Sequence, residues 1–270
     1  MPGSDTPPGV DTGPPGESVH LTFGPDPLPL GEERTVCITV DAGNEVARQV
    51  RGIRTHLPTG SHHMIVYRTT GPLSATPTPC QPFADGASAV FIAETVNASI
   101  EYPTDAALVF TPHQRIRIEI HEVNYTGEPI DIHAEVDFDF YPLDETERMP
   151  VQFLFTGVMG LFLPARTTTE VHSFHGVPDG ARIFGLTSHT HGLGVYSTIH
   201  RGTSEDDFTE MLHEADDWAN PPLDRFDPPL TLSSTEGLRL SCEYDNTRDE
   251  DVGFGLDFAD EMCFLWAYYY

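Results

Sequence analysis

Arg115-Ile116-Arg117-Ile118-Glu119-Ile120-His121 alternates polar and apolar residues without a break, the pattern of a half-buried β-strand. The isoleucines face one way, toward a core. Arg115, Arg117, Glu119 and His121 face the other, so His121 can point into a cleft. Asp131 to Phe140 (DIHAEVDFDF) alternates in the same manner, and Met262-Cys263-Phe264-Leu265-Trp266-Ala267-Tyr268 reads as an aromatic strand at the end of the chain. Elsewhere short alternating runs are separated by Gly, Pro, Asn and Asp, and only Asp206 to Trp218 has weak helical character. The expectation is an all-β chain of two tandem antiparallel jelly-roll-like β-sandwich domains.

Tyr141-Pro142-Leu143-Asp144-Glu145-Thr146-Glu147-Arg148-Met149-Pro150 is charged, turn-prone and bracketed by prolines. It divides an N-terminal unit, residues 19–145, from a C-terminal unit, residues 146–270. Residues 1–18 are rich in Pro, Gly, Ser and Asp, which predicts a flexible linker. The opening Met1-Pro2-Gly3-Ser4 lacks the charged and apolar regions of an export signal. No apolar run approaches the roughly 20 residues of a membrane helix.

The chain has 270 residues, 42 acidic against 14 basic, a formal charge of -28, and no lysine. Such a chain repels phosphate backbones and anionic lipid, so nucleic acid and membrane surfaces are excluded as partners. Cys37, Cys80, Cys242 and Cys263 form no CxxC pair, which argues against a thiolate zinc site. Two disulfides, one in each half, fit their number and spacing and imply an oxidising compartment, periplasmic, secreted or cell-surface; buried free thiols are the other reading.

Thirteen histidines are present, and three short segments concentrate them with a thioether: Ser61-His62-His63-Met64, Ser188-His189-Thr190-His191-Gly192 and Glu261-Met262-Cys263. An i, i+2 pair on a strand sends both imidazoles to one face, so His189 and His191 form a simple bidentate clip. Adjacent His62 and His63 need a break to do the same, and Thr59-Gly60-Ser61 supplies one. Imidazole binds many borderline metals, but thioether selects copper. His172 and His175 precede the second segment as structural histidines, the other readings being groups that support the metal ligands or a regulatory metal position. His20, His56, His113, His133, His200 and His213 show no partner pattern.

In order and spacing, His62-His63-Met64, the strand histidine His121, His189-Thr190-His191-Gly192-Leu193-Gly194 and Glu261-Met262-Cys263 resemble the copper type II, ascorbate-dependent monooxygenases, the family of peptidylglycine α-hydroxylating and dopamine β-monooxygenases. The resemblance spans about residues 35 to 270. It implies two coppers per chain, with His62, His63 and His121 on an electron-transfer copper and His189, His191 and Met262 on an oxygen-activating one. It also implies disulfides Cys242–Cys263 and Cys37–Cys80, while Phe174 stands at a position where the family carries a further cysteine.

The implied chemistry is hydroxylation of a C–H bond with O2 and ascorbate or a similar external reductant. The peptide-amidating branch grips a carboxylate through an arginine, an asparagine and a tyrosine, where this chain has Thr187, Phe264 and Trp266. Those three therefore predict a small apolar or aromatic substrate, unless the aromatics only pack the core. Rival readings are a non-enzymatic copper-binding or buffering protein and a zinc-dependent hydrolase on a three-histidine site, the latter opposed by Met262. The sequence does not define the oligomeric state.

Overall fold

The computed structural model describes residues 18–58, 60–83, 86–124, 126–143 and 146–270. Most of the expected linker (residues 1–17), together with Asp144 and Glu145 of the divider and Thr59 of the predicted break, lies outside the described residues.

Both halves of the chain contribute eight principal strands in the same arrangement. In the N-terminal half these are Ser18–Leu28, Glu33–Asp41, Arg48–His56, Ser61–Thr69, Ala87–Ala93, Ala106–Phe110, Arg115–Val123 and Ile130–Phe140. Sheet N1 runs first, eighth, third, sixth; sheet N2 runs second, seventh, fourth, fifth. In the C-terminal half the eight are Gln152–Gly157, Thr167–Gly176, Arg182–His189, Gly194–Gly202, Phe208–Ala215, Asp224–Thr231, Gly237–Asn246 and Phe264–Tyr269. They repeat both orders as sheets C1 and C2. That order, with antiparallel neighbours, is a jelly roll, so the chain is two jelly rolls in tandem. Short extra strands decorate the N-terminal half, with Ser74–Pro79 on the edge of N2 and Asn97–Glu101 beside Arg48–His56. Met149–Pro150 adds a parallel edge to N1 against Ala106 and Ala107.

Strand periodicity accounts for the packing. Ile116, Ile118 and Ile120 are fully buried in the N-terminal core, as their alternation requires. The Phe264–Tyr269 strand is buried on both faces. Leu265 and Ala267, with the preceding Cys263, fill the C-terminal sandwich, whereas Trp266 and Tyr268 pack into the N-terminal core. Tyr268 lies 6.1 Å from the Phe91 ring, and its hydroxyl accepts the Ile92 N–H. Sheet C1 is thereby shared between the two halves, and each such aromatic contributes about 2–3 kcal/mol of burial. Asp206 to Trp218 is not helical. Its centre is the strand Phe208–Ala215, paired with Gly194–Gly202 and burying Leu212, His213 and Ala215, so sheet packing overrides a weak local preference. The described residues contain no helix, and so none that could cross a membrane.

Candidate metal centre

The site begins at Gly60. Its φ of 93° lies in the left-handed region, and a Cβ there would meet Ile130 Cδ1 at 2.2 Å, so only glycine fits. Immediately after it, the register against Arg115–Val123 shifts between Ser61 and His63. The bulge lets His62 and His63 approach one centre, which a regular strand forbids. His63 then sits opposite His121 in register.

On the facing sheet C1, the Arg182–His189 strand ends at His189, and the rings of His189 and His191 lie 5.1 Å apart. The two halves bring all five imidazoles together. From His62 the ring centroids of His63, His121, His189 and His191 lie at 5.1, 5.4, 5.8 and 5.3 Å. His62 groups as closely with His189 and His191 as with His63 and His121. The two ligand sets expected from sequence are thus neighbours, with His62 between them.

The hydrogen bonds decide which ring nitrogens face inward. His191 Nδ1 donates to the Asp260 carbonyl at 2.9 Å, His189 Nδ1 bonds to Glu94, and His121 Nε2 bonds to Glu33 at 2.9 Å. Each of these rings has its other nitrogen left for the centre. His62 Nε2, His63 Nδ1 and His191 Nε2 are buried and accept no hydrogen bond from the protein. A buried polar atom without a partner costs about 1–3 kcal/mol. Imidazole nitrogens in that state, on His62 and His63 of one expected ligand set and His191 of the other, fit soft or borderline metal ions, which would take their lone pairs.

Electrostatics agree with the geometry. Burial, reinforced by the neighbouring imidazoles, pushes His62 down to about 2 and His191 down to about 3, and burial alone takes His189 down to about 4. His63 is held well below its ordinary value for the same reasons. Burial lowers His121 too, against an opposing pull from Glu33. The cluster is neutral near pH 7, the form that ligates metal.

Met262 is buried and lines, with His63, His121 and His189, a mostly apolar cavity of about 30 Å³ walled by Ile65, Phe155 and Trp266. Its carbonyl accepts the Tyr244 hydroxyl at 2.5 Å, and the next residue, Cys263, is bonded to Cys242. The second disulfide joins Cys37 and Cys80. Trp218 and Phe258 flank His62 at 6.2 and 5.4 Å.

Of the proposed substrate residues, Trp266 lies 5.6 Å from the His189 ring, while Phe264 stacks between Phe155 and Phe254. Thr187 is buried beside Trp266, on a second cavity rather than the metal one. His175 is bonded to Thr156 and Ser173, and His172 faces Glu205; neither belongs to the five-ring cluster.

Several participants escaped the sequence reading. Glu94, from the N-terminal half, orients a histidine of the C-terminal half. Glu33 Oε1 accepts both His121 and the Phe258 N–H, the latter at 2.6 Å, so it also ties the halves. Glu261 accepts the N–H groups of His191, Leu193 and Met262, binding the histidine turn to the methionine. Its place beside Met262 was the one available signal.

Behind the histidine clip, Ser188 Oγ lies 2.7 Å from His213 Nε2, and His213 Nδ1 lies 2.7 Å from Asp224. The order is that of a hydrolytic triad, but Ser188 is only 1% exposed and also bonds Ser197 across the sandwich. No substrate reaches it there, and the line cross-links sheets C1 and C2.

Residues 167–270 match the profile of the copper type II ascorbate-dependent monooxygenase, C-terminal domain. No curated protein matches the chain. Among solved structures, the major capsid protein P2 of bacteriophage PM2 aligns at 12% identity over 93% of this chain and 97% of that one, with a TM-score of 0.40. The peptide N-glycanase F structure aligns at 11% identity over 93% and 96%, also with a TM-score of 0.40.

Proposed function

We propose that this chain is a copper-dependent monooxygenase that hydroxylates a C–H bond of a small, apolar or aromatic molecule, using O2 and an external one-electron reductant such as ascorbate. The observation that carries the reading is the gathering of five imidazoles, three of them with a buried unpartnered nitrogen, beside a thioether; His189, His191 and Met262 of that group lie within the segment that matches a copper domain. His63 and His121, with His62, would hold one copper. His189, His191 and Met262 would hold the other. Copper in such a setting supplies one-electron storage and oxygen activation.

The chain's own residues do the rest. Glu94, Glu33 and the Asp260 carbonyl fix three imidazoles in orientation. Ile65, Phe155, Trp266 and Met262 keep the reaction cavity apolar, which limits competing reactions with water. The second electron has a short path, because His62 contacts rings of both sets. The two disulfides suit an exported protein, and the partners this chemistry requires are a small-molecule substrate, O2 and the reductant.

The small metal cavity favours one rival, a copper-holding protein without turnover. Two coppers per chain, and ascorbate-driven oxygen uptake that Met262→Leu or His189→Ala abolishes, are expected for the enzyme. Tight copper binding with no uptake on any substrate panel would support the rival. Two coppers and full activity in both variants would overturn the ligand assignment.

A further inference from the structure

A second cavity, of about 290 Å³, lies on the other side of the wall formed by Ile92, Glu94 and Trp266, the three residues that line both cavities. Its character differs from that of the metal cavity. Thr187, Ser99, Asn97 and Asn220 give it hydroxyl and amide groups, and Arg225 gives it a cation. Arg225 Nη2 donates to the carbonyl and hydroxyl of Ser99 at 2.9 and 3.1 Å. Those bonds hold the guanidinium in place without neutralising it, and it has no carboxylate partner among the described residues.

We propose that this cavity is the docking site of the reductant, a small hydroxylated enediolate anion of which ascorbate is the type. The inference rests on the monooxygenase reading. Three features select the ligand class. The volume sits just below the usual range for ligand pockets, about 300–1,000 Å³, so the occupant is small. The free edge of a guanidinium matches two adjacent oxygens of an enediolate. In a chain of charge -28, an arginine without a carboxylate partner is a local positive charge with which an anion can pair.

The intervening wall separates reductant from substrate. Hydrogen abstraction needs the reacting atoms within about 3–3.5 Å, which Trp266 and Glu94 forbid from this side. An electron needs no such contact, and the Trp266 ring reaches to 5.6 Å from His189. Each docked monoanion gives one electron to a cupric centre, which becomes cuprous, and leaves as its radical anion after releasing one proton to solvent. The apolar cavity is thereby left to O2 and the C–H substrate.

The test begins with metal-free protein titrated with ascorbate under nitrogen, followed by calorimetry or ligand-observed NMR. Saturable binding is expected in the wild type, weakened at least about tenfold in Arg225→Gln and less in Arg225→Lys. Unchanged binding in Arg225→Gln, or no saturable binding in the wild type, overturns the site. Copper-loaded protein supplies a second readout, the anaerobic decay of the cupric EPR signal. Arg225→Gln should raise the half-saturating ascorbate concentration by a similar factor while leaving reduction by neutral hydroquinone unchanged. Equal slowing with both donors would place the effect in the fold or the electron path, and the docking proposal falls. Ascorbate binding that depends on Arg225, in a protein whose copper form takes up no oxygen, would overturn the monooxygenase reading instead.

Discussion

Acidification should leave copper binding to this protein almost untouched over a range where an ordinary histidine site fails. In an exposed site each imidazole, with a pKa of about 6.5, must lose a proton before it ligates. Three such ligands cost about four orders of magnitude in apparent affinity between about pH 7.5 and about pH 5. Here the folded-state values are already depressed, to about 2 for His62, about 3 for His191 and about 4 for His189. Protons therefore compete only as the pH falls through about 4, and the loss at about pH 5 is less than about twofold for this set. The same depression destabilises the folded metal-free chain below about pH 6.5, because the unfolded chain binds protons that the folded one refuses. Glu119, Glu122 and Glu261 act oppositely. Burial raises each to about 7, so each adds stability at low pH that fades as the pH rises from about 4.5 to 7. The two groups offset one another, and the fold should survive to about pH 5. Competition against a cuprous chelator of known pH dependence measures the affinity, with circular dichroism to verify folding. A fall of more than about two decades in folded protein would mean that the imidazoles are solvated before metal arrives, and the closed cluster would be wrong.

Three further outcomes follow from particular contacts. Glu94→Gln keeps the shape but replaces the carboxyl group that orients His189, so copper affinity of that set should drop about 10–100-fold at unchanged melting temperature, as read by chelator competition. Gly60→Ala forces a Cβ to within 2.2 Å of Ile130 Cδ1 at a φ of 93°; a stability loss of about 1–3 kcal/mol in urea titration is expected, along with weakened binding at His62 and His63. Replacing Cys242 and Cys263 together by serine should cost about 2–5 kcal/mol in the same titration; a loss within error would show that the bond does not brace the methionine segment.

Much of this was legible because strands carry a period of two. The alternation at Arg115–His121 placed the isoleucines in the core and His121 on the cleft face, and Gly60 announced the break that His62 and His63 require. The clustered histidines were picked out by residue type and order, and the structure brings all five together. What stayed hidden depends on contacts between residues far apart in the chain. Glu94 precedes its partner His189 by 95 residues, and no local pattern marks it. His213 looked unpartnered because Ser188 and Asp224 reach it only when two sheets pack. Arg225 lies on the strand beside Thr187, not on the segment where a carboxylate grip was sought. Its absence from that segment argued against anions, yet sheet C1 returns a cation to the same wall by another route.

The convergence of both histidine sets has a mechanical consequence. Sheet N2 presents three imidazoles and sheet C1 two, so the cluster exists only while these faces are pressed together. Trp266 and Tyr268 hold them by apolar burial, and Glu94 and Glu33 hold them by polar bonds that cross between the halves. A cavity of about 30 Å³ leaves room for little more than one or two water-sized molecules. An aromatic substrate therefore has to part these faces to enter, and parting them breaks the bond between Glu94 and His189. On the proposed assignment of His189 to the oxygen-activating copper, substrate entry and the orientation of that ligand would be one event. Bound substrate should consequently alter the cupric EPR parameters of the His189 set more than those of the His63 and His121 set. Equal changes at both, or none, would mean that substrate enters without separating the sheets.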